Sequence, residues 1–489
     1  MARIVWVLLL LLLMPTLAFA NGESLYVRAV GGSYGSENGT SHANAWDGFL
    51  NIVYNAVNTA GQVDPGDTLY ICGAHTAQQL EIYQDGTSPL PIDINFGCPG
   101  DPGSIVPTSQ NYAVYIEASW IKVHGGTVGR GSLGTISIPT NGGITTDVSG
   151  VEIYNMTIGE CLNTVSECLG FYGEDVNIHD NVFTDSKNDV IHGYGGKRAT
   201  IKNNTFARIA IGSVDDGDGI HLSITTDGSL IEGNTIDHTD VDVKYCIVVS
   251  SAVTPGVTTI RNNTCLRRAT DTVGSGIRAD AGARIERNTI TGGRYGVQCA
   301  NATTVQCDIV GNLIRSASEA GVITGATTDV AKIINNTIIG TATGISVGVN
   351  NAGVQIRNNI LQGLTTGIDK VPAGGAPIDT HNLFYQISGN NLIVNGTPTA
   401  PGTGSLLATN PLFVGSTDYR TQGASPVRRA GIPTSVRCID VRGRRCWVPP
   451  DIGAYQATSG DPAGPRTLAA DRTPAGARAP VAARAIRTP

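Results

Sequence analysis

Three aspartates, a glycine hinge and a histidine share the stretch "SVDDGDGIHLSI", Ser213 to Ile224, in which Asp215, Asp216 and Asp218 precede His221. A second pair, Asp189 and His192 in "NDVIHGYGG", repeats the spacing of Asp218 and His221. Lys244 follows downstream, and then Arg278 with Asp280 beside it. These residue types have two uses. Clustered carboxylates are the oxygen ligands that Ca²⁺ takes, so Asp189, Asp215, Asp216 and Asp218 are the candidate metal ligands. Imidazole titrates near neutrality, and a lysine or arginine can act as a base when its neighbours depress its pKa. His192, His221, Lys244 and Arg278 are therefore the candidate proton-transfer groups. Taken alone, "DDGDG" is also a good turn, because Asp and Gly are favoured there. The choice depends on whether the surrounding elements bring these groups together.

Those elements are repeats. Eight segments of the form Ile-x-x-Asn run through the middle of the chain, with the asparagine at Asn181, Asn204, Asn234, Asn263, Asn288, Asn312, Asn336 and Asn359, spaced 23 to 30 residues apart. A degenerate copy places Met156 at that position, and a last one carries Asn382. Between them recurs a Gly-Ile or Gly-Val pair, at Gly219, Gly276, Gly296, Gly321, Gly344 and Gly367. Each repeat thus holds at least two short strands and turns, too little to bury a face alone. Stacking the repeats in parallel, about 4.8 Å apart, gives a continuous core of Ile, Val and Phe. The asparagines then form a ladder of side-chain amides at one corner.

Aligning the second strand on its core residue gives an inward column Ile191, Ile220, Ile247, Ile277, Val297, Val322. Side chains alternate along a strand, so the outward column reads His192, His221, Val248, Arg278, Gln298, Ile323. Ionisable residues concentrate on four successive coils, about 15 Å in all. A merely solvated face would scatter its charges along the whole stack.

The "IxxNTI…GI" repeat resembles the right-handed parallel β-helix of the pectin-lyase-like superfamily, over roughly residues 24–456. The ending "NPLFVGSTDYR…DIGAYQ" resembles a terminal module of bacterial secreted β-helix proteins. The resemblance implies an all-β solenoid of about ten coils acting on an extracellular polysaccharide. In β-elimination a base removes the C5 proton of a uronate while a cation neutralises the carboxylate. The Asp cluster with a basic residue on a following coil is similar in kind to a pectate lyase, which implies a Ca²⁺-dependent uronate lyase. A polygalacturonase-like hydrolase, with two carboxyls among Asp189, Asp216 and Asp218, is the chemical alternative. A non-catalytic binding β-helix is the other, since this fold serves both.

The remaining features bound these readings. Residues 1–20 place Arg3 before an apolar run and end on small residues, a secretory signal. Residues 21–60 are expected to form an N-terminal cap and first coil, with Phe49, Val53 and Val57 spaced for a short helix. The β-helix and its capping module would fill 61–456, and the Pro-, Ala- and Arg-rich stretch 457–489 is expected to be a disordered tail. The 10 cysteines imply disulfides in an exported chain. Short spacings suggest Cys161–Cys168, Cys299–Cys307 and Cys438–Cys446, with Cys72–Cys98 and Cys246–Cys265 completing the set. A net charge of −7 argues against a nucleic-acid partner. The expected product is a secreted monomer with no membrane anchor once the signal is removed.

Overall fold

The structure, a computed structural model, describes residues 22–456 apart from 56–58, 130, 140–147, 162–166, 210–216, 224–227, 240–243, 251–256, 281, 301–306, 326–330, 349–352, 372–377, 435, 437–438 and 447. The signal segment 1–20, the tail 457–489, Asp215 and Asp216 lie outside the described residues.

The repeats bend where the residue before each ladder asparagine takes a left-handed backbone. That residue is Asp180 (φ 55°), Asn203 (φ 55°), Gly233 (φ 70°), Asn262 (φ 56°) and so on to Asn358 (φ 59°). Asn, Asp and Gly accept this region most easily, which is why they recur there. On either side run short strands such as Thr200–Lys202 and Thr205–Ala207, and a third strand such as Asp218–Ser223 completes the coil. Stacked coil on coil, these strands form three sheets of 15, 14 and 14 strands. Named strands pair in parallel, except where Leu392–Val394 meets Thr397–Pro398 at the end. The N-terminal coils, with strands such as Thr68–Cys72 and Ile92–Asn95, lack the asparagine and extend the stack beyond the repeats.

In the first sheet Ile201 pairs with Ile231, and Ile231 with Ile260. In the second, Phe206 pairs with Ile236 and Ile236 with Cys265. In the third, Ile220 pairs with Ile247 and Ile247 with Ile277. All of these are buried. Each such aliphatic side chain contributes roughly 2–3 kcal/mol on burial.

The ladder satisfies its own buried polar groups. Asn204 Nδ2 donates to Asn234 Oδ1 at 3.0 Å and to the Ile178 carbonyl at 2.9 Å. Asn204 Oδ1 in turn accepts from Asn181 Nδ2 and from the Asn181 backbone N–H, both at 3.0 Å. The pattern repeats through Asn234, Asn263, Asn288, Asn312, Asn336 and Asn359 to Asn382. Every donor and acceptor is paired, as burial requires.

Disulfides join Cys72–Cys98, Cys161–Cys168, Cys246–Cys265 and Cys299–Cys307. Cys446 is also disulfide-bonded, while Cys438 lies outside the described residues.

Two expectations differ from the fold. The capping helix is absent among the described residues of 22–60. There the chain makes only two short 3₁₀ turns, His42–Asn44 and Phe49–Asn51. Gly48, at φ 82°, breaks the chain before Phe49, which turns inward and stacks on His75 at 4.1 Å, while Val53 is exposed. Strand Ser24–Arg28 instead joins the first sheet and is edged by Trp46–Asp47. The C-terminal module, expected to close the end, folds back along the side. Val427 and Ile452 pack on Ile360 and Leu383, and Val436 on Val310 and Ile334. Asn335 Nδ2 donates to the Asp451 carbonyl at 2.8 Å, and Asn358 Nδ2 to the Ile432 carbonyl at 2.9 Å.

Candidate functional site

The pleat of the third sheet presents one outward column: Glu81, Tyr115, Ser137, Gly170, His192, His221, Val248, Arg278, Gln298. His192 and His221 are direct neighbours, with their rings stacked at 4.3 Å. Asp189 and Asp218 enter the same strands from beneath. Both are buried, at 6% and 4% exposure.

One oxygen organises the centre. Asp189 Oδ2 lies 3.1 Å from His192 Nδ1 and 3.3 Å from His221 Nδ1. Asp218 Oδ2 lies 3.4 Å from the same nitrogen of His221. The other oxygens hold the main chain: Asp189 Oδ1 accepts from Asp218 N–H at 2.9 Å, and Asp218 Oδ1 from Tyr245 N–H at 3.1 Å. Burial works to raise the Asp189 pKa, but hydrogen bonds and charge from His192 and His221 outweigh it, so Asp189 titrates below the usual carboxylate range. Asp218 goes the other way. Burial and then the Asp189 charge push it well up, against the opposing pull of Lys244 and Arg267. The environments of these two carboxyls, each three residues before a histidine, thus push their pKa values in opposite directions, Asp189 down and Asp218 up.

An ionised carboxylate only accepts, so Nδ1 is the protonated nitrogen of each ring that faces Asp189. That turns Nε2 outward. His192 Nε2 lies 3.1 Å from Ser223 Oγ, and His221 Nε2 lies 2.9 Å from Ser250 Oγ. Each imidazole therefore links a carboxylate on one side to a hydroxyl of the next coil on the other. The histidine side chains keep 14% and 23% exposure, so a substrate reaches their edges and not the carboxylates below. The two-carboxyl arrangement of a glycosidase needs both groups beside the scissile bond. Asp189 and Asp218 are instead turned under the histidines, and Asp216 lies outside the described residues.

Lys244 stands at the entry of strand Tyr245–Ser250, and its charge acts on Asp218. Its carbonyl accepts from Arg267 Nη1 at 2.9 Å, and Arg267 is in turn ion-paired at 3.2 Å with Asp271 in the interior. Arg278 stands two coils beyond His221 in the same column, about 10 Å away. Its guanidinium donates to Asp280 at 2.9 Å and leans back to the Tyr245 hydroxyl on the intervening coil at 2.5 Å. The Asp280 hydrogen bond raises the Arg278 pKa further, so Arg278 stays charged and is not a base.

Calcium does not fit the described donors. Asp189, His192 and His221 bring one oxygen and two nitrogens within 4.8 Å of one another, whereas Ca²⁺ takes a shell of oxygens. Among the described residues no group of three carboxylates converges. Ser223 and Ser250 are the functional candidates that residue-by-residue reading passes over. Their signal was positional: both sit two residues after a column member, on the same outward face.

Residues 135–314, which include the whole of this centre, match a family model described as a right handed beta helix region. The chain is a right-handed parallel β-helix. A mannuronic acid specific polysaccharide family 6 lyase from human gut microbiota is similar at 15% identity over 63% of this chain and 81% of its own, with a TM-score of 0.41. The pectate lyase Pel9A is similar at 14% identity over 90% and 98%, with a TM-score of 0.38. An exopolygalacturonase from Thermotoga maritima is similar at 12% identity over 69% and 86%, with a TM-score of 0.34. These are likenesses of fold and assign no activity. Among curated proteins none matches the sequence.

Proposed function

We propose that this chain is an extracellular enzyme acting on a polysaccharide, and that it cleaves beside a uronate by β-elimination. One observation carries the reading: a single ionised carboxylate, Asp189, turns two stacked imidazoles outward, with the fixed charge of Arg278 two coils along the same column. Arg278 pairs with the uronate carboxylate and makes the C5 proton more acidic. His221 Nε2 removes that proton, the C4–O bond breaks, and C4 and C5 become doubly bonded. The imidazolium returns a proton to the departing oxygen. Asp189 stabilises the charged ring throughout. The disulfides agree with an exported protein.

A second reading, ester hydrolysis, is favoured by Ser250 Oγ at 2.9 Å from His221 Nε2. That is the carboxylate–imidazole–hydroxyl order of an activated nucleophile. One experiment separates the two. The full chain is incubated with pectate, alginate and esterified polysaccharides, and both unsaturated-product absorbance and released acid are followed. Elimination predicts absorbance that falls at least about 100-fold in His221→Ala and persists in Ser250→Ala. Acid release without absorbance, abolished in Ser250→Ala, replaces elimination with ester hydrolysis. Neither signal across the panel refutes both.

A further inference from the structure

The outward column continues on the N-terminal side of the histidines with different chemistry. Strands Leu80–Ile82, Val114–Ile116, Ile136–Ile138 and Leu169–Phe171 lead to Ile191–Gly193 over four steps, about 19 Å. Tyrosines line this stretch. Tyr112 and Tyr115 stack at 5.5 Å, Tyr172 and Tyr194 at 4.8 Å, and Tyr194 lies 3.8 Å from the His192 ring. The aromatic run thus passes without a break from Tyr172 through Tyr194 into the histidine pair. Beyond Tyr115 it opens into a groove of about 550 Å³ whose lining joins Tyr54, Tyr83, Gln78 and Glu81 to the apolar side chains of Phe49 and Leu50.

Between the tyrosines stand carboxylates. The Tyr83 hydroxyl donates to Glu81, and the Tyr194 hydroxyl to Glu167 at 2.8 Å. Burial raises the Tyr115 pKa first and Glu117 adds to it; burial and then Glu167 do the same at Tyr172. The phenols therefore stay protonated. A side chain at Gly170 would meet the Glu167 carboxylate at 2.1 Å, so Glu167 lies directly over the strand face. The segments 77–85, 111–119, 133–139 and 167–174 contain no Lys or Arg; Lys197 and Arg198, which follow Tyr194, are ion-paired with Glu174, and Arg278 and Arg294 stand on the far side of the histidines.

We propose that this strip binds uncharged sugars, so that the glycan is mixed: neutral residues lie over Tyr83 to Tyr194 and a uronate sits between His221 and Arg278. Sugar hydroxyls are donors, and the strip offers carboxylate, amide and phenol oxygens that accept. Tyrosine edges supply apolar contact with a polar tip, which suits a ring that is apolar on its C–H faces. A uronate carboxylate over Glu81, Glu117 and Glu167 would meet like charge across the whole stretch, and that repulsion sets the preference. The placement of the uronate rests on the elimination reading, but the neutral-sugar preference of the strip does not.

Binding by the full chain separates the two, measured by calorimetry in the His221→Ala background so that nothing is turned over. The probes are xylohexaose, cellohexaose, mannohexaose and hexagalacturonate. At least one neutral hexamer is expected to bind, and Tyr172→Ala to weaken it about tenfold or more without moving the melting temperature. Tyr172→Phe, which keeps the ring, is expected to lose less. The Glu117→Gln/Glu167→Gln double variant is expected to tighten hexagalacturonate at least several-fold. The proposal is overturned if no neutral hexamer binds, if Tyr172→Ala leaves neutral binding intact, or if hexagalacturonate binds the strip more tightly than every neutral probe with the glutamates in place. An inactive wild-type chain that still binds a neutral hexamer through Tyr172 would sink the elimination reading and leave this one standing.

Discussion

Two polar stacks run parallel to the axis of this molecule, and they solve burial in opposite ways. At the corner between the first and second sheets, identical asparagines repeat from Asn181 to Asn382. An amide carries both donors and acceptors, so each copy completes the next, and the stack can extend for as many coils as the chain supplies. On the third sheet, Asp189, His192, Asp218 and His221 form a stack only two coils deep. A carboxylate has no donor and two buried carboxylates repel, so this stack cannot propagate. It must end in unlike neighbours: serine hydroxyls above, and below two aspartates whose pKa values are pushed apart. Self-complementary groups yield structure without a reaction centre. Groups that do not complete themselves leave an edge turned to solvent with chemistry to perform.

The comparison breaks first at Asp189. Asp189→Asn keeps an acceptor for the Asp218 N–H but removes the charge that holds both imidazoles. Activity is expected to fall by about 10²–10⁴-fold with little change in melting temperature, read from product formation and thermal denaturation on the same preparation. A large loss of stability with activity intact would place Asp189 among structural groups like the asparagines. The converse change is Asn263→Leu in mid-ladder. It removes the acceptor of both the Asn234 N–H and Asn234 Nδ2, while Asn288 Oδ1 keeps the backbone N–H of position 263, at a cost of about 1–3 kcal/mol for each buried group left unpaired. The melting temperature should fall by several degrees while the folded fraction keeps its turnover.

A smaller effect comes from a buried histidine that belongs to neither stack. Among the described residues His238 has no hydrogen-bond partner for either ring nitrogen, and burial, then Arg267, depress its pKa to about 3. The folded state therefore holds the neutral ring. Its contribution is complete above the unfolded pKa of about 6.5 and is lost as pH falls from there towards 3. His238→Phe should move the acid-unfolding midpoint to lower pH, followed by circular dichroism across an acid titration. An unchanged midpoint would show that protonation at this position does not limit acid stability.

What the sequence discloses follows the same division. The coil core and the asparagine corner are legible because the same residue types return at one period, so each copy corroborates the others. The outward column was legible too, since alternation along a strand fixes direction: His192 and His221 do stand side by side. The division of labour within that column was not. Whether Arg278 is a base or a fixed charge depends on Asp280 and on Tyr245 of another coil, contacts that no spacing reveals. At the N-terminal end of the expected capping helix a glycine at φ 82° outweighs the apolar spacing and the chain makes a 3₁₀ turn at Phe49–Asn51, while Val57 lies outside the described residues. The fold-back of the last segment depends on contacts with coils over a hundred residues earlier, and no repeat announces these.

That fold-back has a consequence for the order of assembly. Ladder contacts join residues 23 to 33 apart, so each coil can dock on its predecessor as the chain emerges. The Ala454 amide bonds Thr337 Oγ1 across 117 residues, and Asn335 reaches Gly453 across 118. Loop closure over such distances comes after the local contacts. Coils can accumulate vectorially from the N-terminal end, while the clasp along their flank closes only once the chain has been delivered as far as Ala454.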